Sequence, residues 1–363
     1  METVKITWSH YYGTLQKISL LAGLWPFLQL RTRLFRIGLQ IVNMITISVP
    51  QMAFQFRCRD IHCFLLSLTA ILLSIVAVVK VYTFQLNILK FKELTEHLYV
   101  DWKNLETPEE YEIMKSYAEN SRRFSIIYPV YCIVGTTVFM SVSIVPHIFD
   151  VVLPLNESRP LLLPYPGYYF VDSREYFTYI FWHSFLSWQI VIIGIFAHDC
   201  MFVCYVEHVS SMFAVVGYRF ESLIYDRKDA LSKNENADLD EKLRRRVAYL
   251  VHTHREALEL AQLLESIFNI PFAVQMGIST VGMSITLLQG QKLLDRSIET
   301  RDKIYNSSWY KTPRNLRKLL ILIMMKSLQP SLLTAGKIYI FSLENFATVL
   351  QTSMSYFTVL ASF

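Results

Sequence analysis

The 363-residue chain is too apolar and too poor in charge for an ordinary soluble protein. Hydrophobic residues make up 53% of it and charged residues 18%, against roughly 45–50% and about 25% in soluble globular domains. Its net charge of +5 comes from short basic segments between apolar stretches, so the charge does not indicate a nucleic-acid partner. The composition argues against a soluble enzyme and indicates a membrane protein.

Six stretches of the chain contain no Asp, Glu, Lys or Arg. A membrane-spanning helix needs about 20 residues, and each stretch has 19 or more. The stretches are residues 37–56, 61–79, 124–149, 176–198, 266–291 and 345–363. They predict an all-α, polytopic membrane protein with about six visible hydrophobic spans.

Basic residues alternate between the connections, and the alternation predicts an orientation. Lys and Arg accumulate in cytoplasmic connections. Five precede the first span, and the next four connections carry two, seven, two and nine in turn. The pattern predicts a cytoplasmic N-terminus. The third connection, predicted to be extracellular, contains an Asn-Glu-Ser sequon that begins at Asn156, which predicts glycosylation there.

The alternation fails after the fifth stretch. Residues 292–318 carry eight Lys and Arg, although the order of spans would place them outside. Two explanations are open: residues 266–291 form a hairpin that returns to the cytoplasm, or a span is missing between that stretch and Lys292. Two spans need about 40 residues and 26 are available, which favours a missing span.

Two polar segments have the composition of helices outside the membrane. Residues 93–117 and 242–265 are charged but helix-prone, and the latter carries apolar residues at steps of three and four, which is typical of one buried helix face. We expect the fourth and fifth spans to continue as helices into the cytoplasm. Residues 226–241 are polar and are predicted to form a flexible connection.

No sequence pattern indicates catalysis, a metal site or a cofactor. The chain has no CxxC, HExxH, GxGxxG or P-loop pattern. Its five cysteines show no paired spacing, and they are predicted to be small buried hydrophobic residues. We therefore expect a protein that is not an enzyme and that needs neither a metal nor a cofactor.

The last part of the chain carries its most specific pattern. Gly290 and Ser297 precede Tyr-Asn-Ser-Ser-Trp-Tyr at 305–310, and Ser-Leu-Glu-Asn-Phe-Ala at 342–347 precedes Tyr-Phe-Thr-Val-Leu at 356–360. This pattern resembles the C-terminal signature of the insect odorant receptors, in particular their odour-tuned subunits. Members of that family have seven spans, and their sixth lies ahead of the Gly-to-Ser stretch, where this chain has none.

The resemblance implies a function and an assembly. A subunit of this family binds a small volatile apolar ligand and joins a shared olfactory co-receptor in a hetero-tetrameric, odour-gated cation channel. The channel works in olfactory sensory transduction, in the plasma membrane of the olfactory neuron dendrite. Residues 1–291 would form the membrane domain with the odour pocket, and residues 292–363 the C-terminal anchor segment and pore helix.

The last helix is predicted to line the pore. Thr348, Thr352, Ser355 and Val359 recur at steps of three or four, and Phe363 follows four residues later. A polar stripe within lipid needs water or another helix to satisfy it, so the residues alone fit a helix contact and a pore equally well. The resemblance favours the pore, with Val359 and Phe363 as its narrow apolar gate.

The odour pocket is predicted in the outer halves of the second, third and fourth spans. Apolar aromatic cavities with few polar groups suit volatile ligands. The predicted lining consists of Phe64, Leu68, Leu72, Thr136, Phe139, Met140, Phe181, Phe185 and Trp188. Plain packing between helices or against lipid is the alternative for each of them.

Three other functions compete with an odorant receptor. A G-protein-coupled receptor expects an external N-terminus, an Asp-Arg-Tyr triplet after the third span and Asn-Pro in the last, and none is found. A transporter expects internal repeats and ionisable residues at mid-membrane, and the apolar stretches contain neither. A gustatory receptor-type channel is the nearest alternative, although its usual Thr-Tyr-x-x-x-x-x-Gln-Phe ending is missing here.

Overall fold

The chain is almost wholly helical. The computed structural model describes residues 2–58, 61–153, 163, 165–231, 237–307, 309–311, 313–335 and 339–360. Their α-helices are α1 (Glu2–Leu21), α2 (Leu30–Arg57), α3 (Ile61–Leu86), α4 (Ile88–Val100), α5 (Pro108–Ser141), α6 (Val145–Val152), α7 (Phe177–Leu231), α8 (Ala237–Asn306), α9 (Arg314–Ser327) and α10 (Leu343–Leu360). Three 3-10 turns lie at Asp101–Lys103, Val142–Ile144 and Trp309–Lys311. One short antiparallel hairpin joins β1 (Thr334–Ala335) to β2 (Tyr339–Ile340) just before α10. The all-α prediction is confirmed.

Several of these helices are long and apolar enough to cross a membrane. Among the described residues, four stretches meet that test, and a fifth candidate is a helix pair bent by 79°. The four are Leu30–Arg57, Pro108–Asp150, Phe177–Ser222 and Leu243–Asn306, and the bent pair is Ala70–Leu86 with Ile88–Lys103. The last predicted span falls in the 18-residue helix α10. This helix is less apolar than the four stretches above, because Ser, Thr, Asn and Gln recur along it.

The fourth and fifth predicted spans continue far beyond the thickness of a bilayer. Helix α7 has 55 residues and α8 has 70, so at about 1.5 Å per residue each exceeds the hydrocarbon core of about 30 Å. Both helices therefore continue beyond the predicted spans, and the cytoplasmic location of the extensions stays a prediction. Helix α8 is also unbroken from residue 266 to residue 306, so the hairpin explanation for residues 266–291 is wrong.

The chain divides into two compact units, Met1–Gln275 and Met276–Phe363. The first unit contains a large apolar cluster, called here the large cluster, to which α1, α3, α4, α5, α7 and α8 contribute. Its largest fully buried side chains are those of Tyr12, Phe84, Phe91, Tyr205 and Phe268. Many of its rings meet edge-on or tilted, and the centroids of Phe91 and Phe268 are 5.5 Å apart. The cluster ties the helical extensions of the first unit together.

A buried ion pair borders the large cluster. Arg219 of α7 donates two hydrogen bonds of 2.8 Å to the carboxylate of Glu110 in α5 and a third of 2.9 Å to the carbonyl of Asn104. Only 6% of Arg219 and 2% of Glu110 is exposed. Glu110 also belongs to an N-cap, because its backbone N–H donates to Thr107 Oγ1. Arg219 is one of the nine basic residues of the fourth connection, and the structure buries it between helices.

A second buried ion pair lies where two spans end. Lys80 of α3 contacts the carboxylate of Asp199 in α7, and Lys80 is buried. Tyr128 of α5 donates a hydrogen bond of 3.2 Å to the same carboxylate. Three helices therefore meet at one ionic contact. Lys80 and Asp199 directly follow charge-free stretches, so their position in the sequence predicted connection residues and not buried partners.

The cysteines do not all behave as predicted. Cys132, Cys200 and Cys204 have free thiols, and Cys200 and Cys204 are buried in the large cluster. Cys58, at the end of α2, is disulfide-bonded. The prediction of small buried hydrophobic residues therefore fails at Cys58, because no spacing pattern in the sequence marks a single disulfide.

Candidate functional site

A second apolar cluster, called here the small cluster, packs α2, α3, α5 and α7 together. Its buried members are Met44, Ile47, Ala70, Ala77, Met140, Trp188, Val191 and Ile195, and Leu73, Tyr165, Phe185 and Ile192 are partly buried against it. Trp188, Val191 and Ile195 follow one another at steps of three and four, which places one face of α7 in the cluster. The residues have the composition of a site for a small apolar molecule.

The small cluster brings together part of the predicted odour pocket. Met140, Phe185 and Trp188 belong to it. Phe181 is buried one turn before Phe185, and their ring centroids are 6.0 Å apart. Phe139 is 48% exposed and reaches the cluster through its ring contact with Tyr165.

Like Phe139 and Phe181, four other predicted pocket residues are not members of the cluster. Leu68, Leu72 and Thr136 are partly buried, and Phe64 is exposed. They lie on α3 and α5, the helices that supply Ala70, Ala77 and Met140 to the small cluster. Their role in a pocket stays a prediction.

Tyr165 is the central residue that the predicted pocket omitted. Its ring centroid lies 4.6 Å from that of Trp188 and 5.3 Å from that of Phe139. It precedes α7 in the loop at 165–176, so helical periodicity could not place it. The available signal was the run of Pro and Tyr residues around this loop, which gave no contact.

Polar side chains border the small cluster where α7 begins. Tyr169 makes hydrogen bonds to Ser184 Oγ at 2.9 Å and to His183 Nδ1 at 3.2 Å. The other ring nitrogen of His183 lies 3.2 Å from Thr46 Oγ1 of α2. Burial raises the pKa of the Tyr165 and Tyr169 phenols above the usual value, so both remain neutral at physiological pH. The border is polar but carries no strong local charge.

The loop at 165–176 is fixed to α2. The Tyr168 N–H donates a 2.8 Å hydrogen bond to the carbonyl of Pro50, and the guanidinium of Arg57 lies 3.6 Å from the centre of the Tyr168 ring. Phe170 has φ of 62°, which is uncommon for a residue other than glycine. The loop is therefore an ordered cover beside the small cluster. Asn156, the predicted glycosylation residue, lies outside the described residues.

Helix α10 carries the predicted pore residues. The hydroxyls of Thr348, Thr352 and Ser355 are exposed and donate to the carbonyls four residues earlier, at 3.0, 2.8 and 2.9 Å. Such bonds satisfy each hydroxyl within its own helix, while the oxygen lone pairs stay open to water or another helix. Val359 lies in the helix, and Phe363 lies outside the described residues.

The C-terminal signature residues have physical roles within the second unit. A Cβ on Gly290 would lie 2.2 Å from the carbonyl oxygen of Phe341, so only glycine permits this approach. Ser297 Oγ accepts a 2.9 Å hydrogen bond from the Ser331 N–H, and Gln291 Oε1 accepts one of 3.1 Å from the Leu343 N–H. The end of α8 thereby holds the segment that leads into α10.

The helical spans, the apolar cluster and the hairpin before α10 define a polytopic helical membrane protein. A family model described as 7tm Odorant receptor matches residues 60–291 and 285–354. The chain therefore belongs to the odorant receptor family, a family of receptors and not of enzymes. The two matched pieces meet at residues 285–291, where the charge pattern predicted a missing span.

Curated relatives carry the same family name. Odorant receptor 13a of Drosophila melanogaster is 22% identical over 256 residues, which cover 58% of this chain and 59% of that protein. Odorant receptor Or2 of Anopheles gambiae is 38% identical over 69 residues, which cover 19% of this chain and 18% of that protein. The chain thus spans less than two thirds of the length of either relative.

Solved structures of an insect olfactory receptor share the fold. Olfactory receptor OR5 of Machilis hrabei is 13% identical, with a TM-score of 0.50 over 98% of both chains. The same receptor in complex with eugenol gives a TM-score of 0.54 over 98% of this chain. The likeness supports the insect olfactory receptor fold for this chain.

Proposed function

We propose that this chain is the odorant-binding subunit of an odour-gated cation channel that it forms with a shared co-receptor. Membership of the odorant receptor family supports the receptor role. The observation that carries the ligand site is the small cluster, where aromatic and aliphatic side chains from four helices meet beneath an ordered loop. We place the protein in the plasma membrane of the olfactory neuron dendrite.

The proposed ligand is a small, largely apolar volatile molecule. The small cluster offers aromatic and aliphatic surface with polar groups only at its border, a composition that suits such molecules. The related receptor solved with eugenol makes a ligand of this size and polarity reasonable for the same fold. Helix α10 is the proposed pore lining, with its exposed hydroxyl stripe facing the ion path.

The proposed orientation has the N-terminus in the cytoplasm. The alternation of basic residues supports it. The disulfide at Cys58 gives independent support, because disulfides persist in oxidising compartments and Cys58 lies in the first connection, which this orientation places outside. An epitope inserted before Lys5 should stain only after permeabilisation. Enzymatic removal of N-glycans should increase the gel mobility of the chain more than that of an Asn156→Gln variant.

We propose that one span is absent between residues 284 and 292. The eight basic residues of 292–318, the unbroken helix α8 and the two-piece family match support this. With one span fewer, the basic segment and α10 would take the wrong side of the membrane, and the insertion machinery would oppose that path. We therefore expect the chain to reach the surface poorly as a channel subunit.

The proposal is tested by recording odour-evoked cation currents. The chain is co-expressed with a co-receptor, beside a version in which about 20 apolar residues restore the missing span after Ser284. We expect odour-evoked currents from the restored version and weak surface expression and currents from the original chain. Equal currents and surface levels would contradict the missing-span proposal. No odour response from either version, with the co-receptor agonist still active, would contradict the channel function.

A further inference from the structure

The indole of Trp188 is a hydrogen-bond donor buried without an acceptor. Trp188 is 1% exposed, and its Nε1 has no hydrogen-bond partner among the described residues. It lies among the apolar members of the small cluster, and its ring centroid is 4.6 Å from that of Tyr165. A donor in this position has lost its hydrogen bonds to water without gaining one from another described residue.

Unpaired buried donors are rare, and buried tryptophans usually find an acceptor for their N–H group. Trp102 of the large cluster follows this rule, because its Nε1 donates to the hydroxyl of Tyr12 at 3.3 Å. Trp8 is also unpaired, but it lies in α1, away from the small cluster. Trp188 is therefore the exception that lies within the proposed ligand site.

We infer that the ligand of the small cluster is an oxygenated volatile whose carbonyl, ether or ester oxygen accepts a hydrogen bond from Trp188 Nε1. This inference rests on the proposed function, and it adds the chemical class of the ligand. The aliphatic and aromatic neighbours of Trp188 bind the carbon skeleton, and the indole N–H supplies the single polar anchor. A hydrocarbon of the same shape would leave the donor unpaired in an apolar site, which disfavours its binding.

The test compares matched ligands on the purified, full-length chain in detergent. Anisole is paired with ethylbenzene, and 2-heptanone with 2-methyl-1-heptene, because each pair differs in one oxygen but hardly in shape. Binding is measured as the rise in unfolding temperature at increasing ligand concentration. We expect the oxygenated member of a pair to bind about five- to tenfold more tightly, the worth of one neutral hydrogen bond.

Two variants separate the hydrogen bond from the ring. Trp188→Phe keeps an aromatic ring and removes the donor, so the preference within a pair should fall to about one while hydrocarbon binding persists. Trp182→Phe makes the same change on the same helix at a residue that is 52% exposed, and it should leave the preference intact.

The outcomes distinguish this inference from the channel function. Equal binding within each pair by the unaltered chain overturns the inference without any variant, and so does a preference that survives in Trp188→Phe. No stabilisation by any of the four compounds also overturns it. The channel function is tested separately by the odour-evoked currents described above, which can persist while the oxygen preference is absent.

Discussion

The two apolar clusters of the first unit differ in the buried charges beside them. Beside the large cluster, Arg219 pairs with Glu110 and Lys80 pairs with Asp199. Inside the small cluster, the indole of Trp188 has no partner among the described residues. Ion pairs buried between helices hold one arrangement of those helices. The unpaired indole of Trp188 offers a donor to a group that arrives from outside.

The difference separates a scaffold from a binding region. Substitutions at the large cluster should cost folding stability and affect every function equally. Substitutions at the small cluster should alter the ligand response more than they alter stability. The predictions below test this division, from the largest expected effect to the smallest.

The largest effect is expected from Arg219→Ala. The change leaves the Glu110 carboxylate buried without its cation, and loss of one partner of a buried pair costs about 3–5 kcal/mol. We expect loss of monodisperse protein in size-exclusion chromatography. Arg245→Ala is the matched control, because Arg245 also pairs with a glutamate, Glu241, but its side chain is 79% exposed, and such pairs contribute about 0–1 kcal/mol. Equal losses from the two variants would contradict a scaffold role for the buried pair.

The second prediction concerns Lys80→Met. It removes the cation from Asp199 but leaves that carboxylate the hydrogen bond from Tyr128, so we expect a loss near the lower end of the range, about 3 kcal/mol. The double variant Lys80→Met with Asp199→Leu removes both charges and should recover most of that loss. Thermal unfolding of the two variants in detergent gives the comparison. A double variant less stable than the single one would show that the pair contributes net stability.

Much of the fold followed from the sequence because it depends on local patterns. Charge-free stretches located the spans, and the apolar periodicity of residues 242–265 predicted the helical extension of the fifth. The Thr107-to-Glu110 spacing is a capping-box pattern that could also have predicted where α5 begins. These features need only neighbouring residues along one helix.

The candidate site was less accessible, because its contacts join residues distant in sequence. Tyr165, in a loop, packs against Trp188 of α7, and Lys80 pairs with Asp199 on another helix. Nothing in the sequence near Lys80 distinguishes a buried partner from a connection charge. Helical steps from Trp188 do lead to Val191 and Ile195, so that face of α7 could have been predicted as part of the site.

The third prediction concerns the second unit, and it tests a close contact between Gly290 and the backbone of Phe341 rather than a buried ion pair. Gly290→Ala puts a methyl group against the Phe341 carbonyl, and overpacking of this kind costs about 1–3 kcal/mol. We expect lower stability and smaller odour-evoked currents, because the displaced hairpin leads directly into α10. Gly282→Ala is the control on the same helix, since a Cβ there would meet no atom within 4 Å. Its stability should be unchanged or slightly raised.

The smallest effect on stability, and the sharpest test of the division between clusters, is expected from Phe139→Ala. Phe139 is nearly half exposed and contacts the small cluster through Tyr165. Its truncation therefore leaves little cavity, and we expect a loss of stability of at most about 1 kcal/mol. The Phe139 ring nevertheless contacts Tyr165, which in turn contacts Trp188. Loss of the Phe139 ring should therefore shift the odour concentration for half-maximal current in the receptor with the restored span. The response to a co-receptor agonist should stay unchanged. Val138→Ala, at a neighbouring exposed position on α5, should change neither quantity. A large loss of stability in Phe139→Ala without a change in odour response would place Phe139 in the scaffold. It would also contradict the proposed separation between a large cluster that stabilises the fold and a small cluster that responds to the ligand.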